Sequence, residues 1–467
     1  MGVLLCLAPW GLAEVLSGSS TASWLVAWLG SLGILLAVWT GKVFDLPRDR
    51  PLQDQVLRPW LLTQVIFAGY SFLTAIFYWL NLKGITFGLA VPPLAGEAEW
   101  AMAARIQRHY VLAHAGLAIG YGLAFSLTGR LSARVYGGQT EPYRDMPRML
   151  FRLTLLAFGG FLFFSLVPGL VQFSVKFRGL AVVAVTVGFG LALQRRSPTL
   201  LALGAGVVLL FLGALASGWK EEVVVVVLLV AAGFFPRQPV TTSFLTGLVL
   251  FAGVIALPPI ANSIRQTQWE EGTGKRESLE IAVNTLRAMT ADQFETTVWE
   301  FLTMRLTEAS MFAQFMSDVP DRHPYYGIQL VKQAGIAVVP RLIWPGKPNY
   351  EEAVMTRTRE HGVVSAESAV SAKPAYVVDC YLSAGLLGVF LGGLLLGLVA
   401  QLASATCERY FGGYLLGGVV FNGTFSILWR GNCFEFVASA LFWSFVLAWL
   451  GHQVFANTLQ ADLNFKF

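Results

Sequence analysis

Long uncharged apolar runs recur along this chain near 22–44, 60–80, 111–129, 150–170, 242–260, 376–403, 411–429 and 434–454, and they limit what it can fold into. A helix needs about 20 such residues to cross roughly 30 Å of hydrocarbon. Shorter runs at 3–16, 179–194, 199–217 and 222–236 bring the expected spans to about twelve. In lipid only helices and closed barrels satisfy every backbone group, and barrel strands would alternate apolar with polar residues, which these runs do not. With 55% hydrophobic and 13% charged residues among 467, the chain also lacks the polar surface that a soluble domain needs. The expected fold is all-α, a polytopic membrane helix bundle.

Basic residues fall unevenly on alternate connections. One set holds Lys42, Arg48, Arg50, Arg58, Arg130, Arg134, Arg144, Arg148, Arg195, Arg196, Arg237 and Arg409; the other holds Lys83, Arg105, Arg108, Lys176, Arg178 and Lys220. Positive-inside bias makes the first set cytoplasmic. Both termini then lie inside a bacterial cytoplasmic membrane, and the long segment 261–375 faces the periplasm or the exterior. The net charge of +5 comes mostly from these loops and does not suggest nucleic-acid binding. Cys6, Cys380, Cys407 and Cys433 are scattered, without CxxC or Cys/His spacing, so neither a disulfide framework nor a zinc site follows. No Asp-x-Asp or His/Asp cluster is evident, and neither a metal nor a cofactor is expected. Leu4 to Leu16 lacks a charged leader and a cleavage site and reads as a retained span.

Three regions follow: an N-terminal transmembrane bundle at 1–260 of about nine helices, a helical cap at 261–375, and about three C-terminal transmembrane helices at 376–467. A connection of over a hundred residues is functional when it carries structure of its own. Here Trp299, Phe301, Leu302, Leu306, Phe312 and Phe315 recur at helical spacing as an inward stripe, and GIQLVKQAGIAVV is an interfacial or re-entrant helix ended by Pro340. Arg305 lies inside the apolar pattern, where a guanidinium needs an anionic partner, either Glu300 or Glu308 or an anionic ligand. Arg265, beyond Pro258 and Pro259, fits a snorkelling anchor. The stretch VVPRLIWPGKPNY sets Arg341 and Lys347 around Trp344 within a frame of three prolines. Aromatic and basic residues anchor helices at a membrane surface, but prolines also hold two cations at set positions, which suits a lipid-linked phosphate or diphosphate.

The series MRLTEASMFAQFM, PYYGIQL, VVPRLIWPGKP, SAKPAYVVDCYLSAGLLGVFLGG and LWRGN resembles the bacterial oligosaccharide repeat-unit polymerases, the Wzy-type O-antigen and exopolysaccharide polymerases. The resemblance covers roughly Arg305 to Asn432. One departure is the acidic residue, which in this chain reads Asp379-Cys380-Tyr381 where the family usually has Glu directly before Tyr. The resemblance implies a glycosyltransferase of the GT-C kind that transfers a glycan from undecaprenyl diphosphate to another lipid-linked repeat unit, with the bilayer and a chain-length regulator as further partners. Such a reaction breaks an anomeric bond and releases a diphosphate whose charge needs forked cations. Arg305, Arg341, Lys347 and Arg430 are the expected diphosphate contacts, with Arg265 and Arg357 behind them; Arg305 and Arg341 thereby join catalysis. His361 is the favoured base, with His323, Glu367 and Asp379 as alternatives. Trp344, Tyr350 and Tyr381 are candidate sugar or interface contacts.

A ligase that moves the same glycan to another acceptor would carry nearly the same residues. A transporter or flippase for lipid-linked oligosaccharide would place ionisable residues within the bundle and repeat its halves. In the sequence the ionisable residues gather in the segment 261–375, which favours an enzyme.

Overall fold

The computed structural model describes residues 2–87, 89–90, 95–136, 145–167, 169–216, 220–265, 267, 274–365 and 372–464. Apart from a short antiparallel ladder, Ile85–Thr86 against Leu89–Ala90, their regular structure is helical. Most of each expected apolar run that the structure describes lies in helix. Among the described residues eight helices are long and apolar enough to cross a membrane: Ser20–Trp39, Leu62–Leu82, Glu97–Thr128, Met146–Leu166, Val171–Arg195, Pro239–Ala256, Tyr376–Tyr410 and Phe434–Val454. Leu4–Val15, Leu200–Leu215 and Glu222–Phe234 are apolar but shorter.

The expected span at 411–429 is broken. Tyr414–Thr424 stops, and Ile427–Arg430 adds a single turn. The Thr424 carbonyl is taken instead by Lys176 Nζ (3.0 Å) and Ser444 Oγ (2.6 Å), side chains from two neighbouring helices. The expected region boundary at 260 also shifts, because the Pro239–Arg265 helix runs through it with Pro258 and Pro259 inside.

Two long helices, Glu97–Tyr136 and Tyr376–Tyr410, form the centre. Gly116 and Gly120 face the second helix; Gly393 and Gly397 face the first. A Cβ at Gly393 or Gly397 would collide with the carbonyl of Ala113 or Leu117, so no larger residue fits this crossing. In lipid, where apolar burial alone gives helices little reason to associate, such close backbone approach supplies the contact.

The second helix breaks near its start. Ala384 and Gly385 leave helical geometry, with Gly385 at φ 58°, a conformation a glycine adopts without a Cβ penalty. The carbonyls released there are not left bare, since the amides of Tyr326 and Gly327 donate to Leu382 and Ser383 at 2.9 and 3.0 Å. The kink is thus tied to the segment before it.

That segment is helical, as expected. Lys275–Ala288, Ala291–Glu300, a π-helical turn Phe301–Leu306, Ala309–Met316, Gln329–Val338 and Tyr350–Glu360 follow one another. Thr290 and Gln293 form a capping box at the start of the second. Of the expected stripe, Phe301, Leu302, Phe312 and Phe315 are buried, while Trp299 and Leu306 are half-buried. The Gln329–Val338 helix packs on Phe434–Asn464, and Trp443 Nε1 donates to Val338 O at 2.9 Å.

Candidate functional site

Three pieces of the 274–365 segment converge on Asp318, just past the Ala309–Met316 helix. The amides of Arg322 and His323 donate to its carbonyl at 2.8 and 3.1 Å, which turns the chain back and brings His323 Nδ1 to 2.8 Å from Asp318 Oδ2. His361 caps the C-terminus of Tyr350–Glu360, and Gly362 at φ 66° turns the chain away behind it. Its Nδ1 meets the same Oδ2, and its Nε2 lies 2.8 Å from the Tyr326 hydroxyl. Gln314 Nε2 donates to the His361 carbonyl at 3.1 Å. Because Tyr326 is tied to the kink, the cluster is held against the Tyr376–Tyr410 helix.

Electrostatics fix the proton order. The hydrogen bond from His361 holds the Asp318 carboxyl below its ordinary range despite partial burial, so Asp318 accepts only. His361 Nδ1 therefore donates to Asp318, and its Nε2 faces the Tyr326 hydroxyl. Burial pushes the Tyr326 phenol up, which keeps it a donor. The result is a carboxylate–imidazole–phenol chain, with the His361 side chain buried and the His323 side chain 54% exposed.

A second cluster lies nearby in sequence. Arg357 is buried between two carboxylates, 3.1 Å from Asp379 Oδ1 and 3.1 Å from Glu435 Oε1. Asp379 Oδ2 also accepts from the Phe434 amide at 2.9 Å, capping the last helix.

A family model described as a domain of unknown function, DUF8712, matches residues 8–460. The chain belongs to the DUF8712 family. No curated protein and no solved structure matches it.

In this DUF8712 chain several expected site residues are engaged elsewhere. Lys347 is buried, and its ammonium donates to the carbonyls of Ala337 and Val339 at 2.9 and 2.8 Å. It caps a helix C-terminus, with burial and then the neighbouring Arg341 pushing its pKa down, and it does not present a cation to a diphosphate. Arg357 is spent on Asp379 and Glu435, and an incoming phosphate would meet two carboxylates; that pairing equally removes Asp379 as a base. Tyr381 is buried and donates to Val319 O at 2.8 Å, so it braces the fold and offers no sugar contact. Arg305 lies in the π-helical turn but is exposed, where the apolar pattern had put it inside.

The remaining expected residues lie elsewhere in the segment or outside the described residues. Arg341 is exposed beside Leu342, Ile343 and Trp344, themselves 64%, 73% and 42% exposed, as an interfacial hook would be. Tyr350 packs edge-on against Phe436 at 5.1 Å. Arg265 and Arg430 end their helices, but their side chains, like Glu367 as a whole, lie outside the described residues. The ten-residue Gln329–Val338 helix, about 15 Å long at 1.5 Å per residue, separates Tyr326 from Arg341.

Asp318, Tyr326 and Glu435 were missed by the sequence reading. An Asp five residues before a His was a readable local signal for the first. Nothing in the sequence pairs Asp379 with Glu435, 56 positions on. Ionisable residues also lie within the bundle, where the sequence reading had not put them: His109, His114 and Lys176 are buried within helices, and Arg58 is buried against Glu408.

Proposed function

We propose that this protein is a membrane glycosyltransferase that polymerises oligosaccharide repeat units carried on undecaprenyl diphosphate. It works at the outer face of the bacterial cytoplasmic membrane, with about twelve helices counting the short ones, both termini inside and segment 261–375 outside. The observation that carries the reading is the Asp318–His361–Tyr326 chain, a general base oriented from behind and covered by a phenol. The acceptor hydroxyl gives its proton to Tyr326 as Tyr326 gives its own to His361 Nε2, and Asp318 stabilises the imidazolium. The acceptor oxygen bonds to the anomeric carbon as the bond to the diphosphate breaks. Arg305 and Arg341, both exposed, are the cations that meet the developing diphosphate charge, Arg341 reaching it from beyond the Gln329–Val338 helix. The exposed Leu342, Ile343 and Trp344 set Arg341 at the depth where lipid phosphates lie. A ligase acting from the same donor differs only in its acceptor.

The test is deletion in the native bacterium followed by sizing of its surface glycans. Loss of long chains with survival of single capped repeats is the expected result; loss of all capping indicates the ligase, and an unchanged ladder overturns both. Arg341→Lys keeps the charge and loses the fork, and it is expected to abolish polymer with normal membrane insertion.

One observation favours a transporter as second reading. His109 Nε2, His114 Nδ1 and both polar atoms of Gln107 are buried in the central helix without hydrogen-bond partners, and polar groups at such depth mark ion or substrate paths. Glycan that stays on the outside of inverted vesicles from the deletion strain, which is the cytoplasmic leaflet, supports it.

A further inference from the structure

Asp318, His323 and His361 each turn a ligand-type atom toward one point. Asp318 Oδ2 lies 2.8 Å from His323 Nδ1 and in short contact with His361 Nδ1, and the three donor atoms lie within 4.8 Å of one another. His323 is the telling member. Its side chain is 54% exposed, yet its Nδ1 faces inward to an oxygen that His361 already occupies. The rings stand nearly perpendicular, 84° apart with centroids at 5.0 Å, so their nitrogens approach the shared oxygen from different sides.

We propose that these three residues bind a divalent transition-metal ion of the zinc class, with the exposed side of His323 leaving a fourth position open. Two imidazoles and one carboxylate are a donor set that such ions take, and three protein ligands with one open place is the pattern of a reactive rather than a closed structural site. Ligands about 2.1 Å from a tetrahedral ion stand roughly 3.4 Å apart, so binding requires the Asp318 carboxylate to draw back from both imidazoles. The outer contacts fit as well. With Nδ1 on the metal, the His361 Nε2 carries the proton and donates to the Tyr326 oxygen, the kind of partner that orients metal-bound histidines. The open position takes an oxygen ligand, either water or an anionic phosphate oxygen. A bound ion would take up the His361 Nδ1 and would supply a metal-bound hydroxide as the base in place of that imidazole, because coordination makes bound water lose its proton near neutral pH. The role given to the ion rests on the glycosyl-transfer reading, whereas its binding is measured on the purified protein without any polymer.

The experiment uses the full chain purified in detergent, stripped with chelator and titrated with Zn(II), with Co(II) as an absorbing probe. One equivalent of zinc per chain, lost in His323→Ala and weakened about 10- to 100-fold in Tyr326→Phe, is the expected result. His323→Ala alters an exposed side chain, so its folding is not in question, and thermal unfolding without metal checks this. Zinc uptake that His323→Ala leaves unchanged, or no uptake beyond that of Asp318→Asn/His323→Ala/His361→Ala, overturns the proposal. Neither result bears on the glycan ladder.

Discussion

The Tyr376–Tyr410 stretch carries a carboxylate on each side of its break, Asp379 before it and Glu408 near its C-terminal end. Each grips a buried arginine, and the two joints differ. At the far end all five N–H groups of Arg58 are bonded. They reach Glu408 at 2.9 and 2.9 Å, Asp49 at 2.8 and 2.8 Å, and Gln55 at 2.8 Å, while Arg50 adds a second cation 3.0 Å from Asp49. At the near end Arg357 faces both Asp379 and Glu435, its Nε has no hydrogen bond, and Asp379 divides itself between Arg357 and the Phe434 amide. A fully satisfied polar network fixes a structure; one with loose donors beside a histidine cluster is where chemistry has room. The difference separates the lock of this fold from its site.

Breaking the lock has the largest expected effect. Arg58→Met strands two carboxylates in a buried place, and removing one partner of such a network costs about 3–5 kcal/mol. Little folded protein is expected in the membrane fraction, read by size-exclusion profile in detergent. Arg357→Met should also destabilise, but adding Glu435→Gln relieves one stranded charge, and the double variant is expected to melt higher than the single. An equal melting temperature would remove the contrast between the joints.

At the site the effect falls on activity. Tyr326→Phe loses one hydrogen bond, worth about 1 kcal/mol of stability, yet polymer synthesis in membranes is expected to fall by about 10²- to 10⁴-fold if Tyr326 and His361 carry the proton.

The smallest effect is a pH dependence at the lock. Burial pushes the Asp49 carboxyl up, but Arg58 and then Arg50 outweigh it, and its pKa lies below the ordinary value. Such a group contributes fully above its unfolded pKa of about 4 and loses its contribution as pH falls through the lower folded value. The melting temperature should therefore drop below about pH 4, and less steeply in Asp49→Asn.

The contrast also marks what the sequence could carry. Apolar run length located the helices, because the hydrocarbon sets that length, and the amphipathic spacing of Phe301, Leu302, Phe312 and Phe315 marked residues that are buried. His361 was legible as a lone histidine after TRTRE. Its partner was not, since Asp318 is 43 positions away and their meeting depends on a turn and a kink. Lys347 and Arg357 misled for one reason. A cation in a sequence carries no sign of whether a carbonyl or carboxylate already holds it, and here both are held. The break after Thr424 was invisible too, because the side chains that satisfy its carbonyl come from two other helices.

The most direct test of the central claim is the glycan ladder of a deletion strain complemented with His361→Gln, with membrane levels of the protein matched to wild type. Glutamine keeps a polar side chain at that position but cannot take up a proton near neutral pH. Single repeats without long chains are the result expected of a His361-centred polymerase. A wild-type ladder would contradict it and leave the Asp318–His361–Tyr326 chain as a brace for the kinked helix.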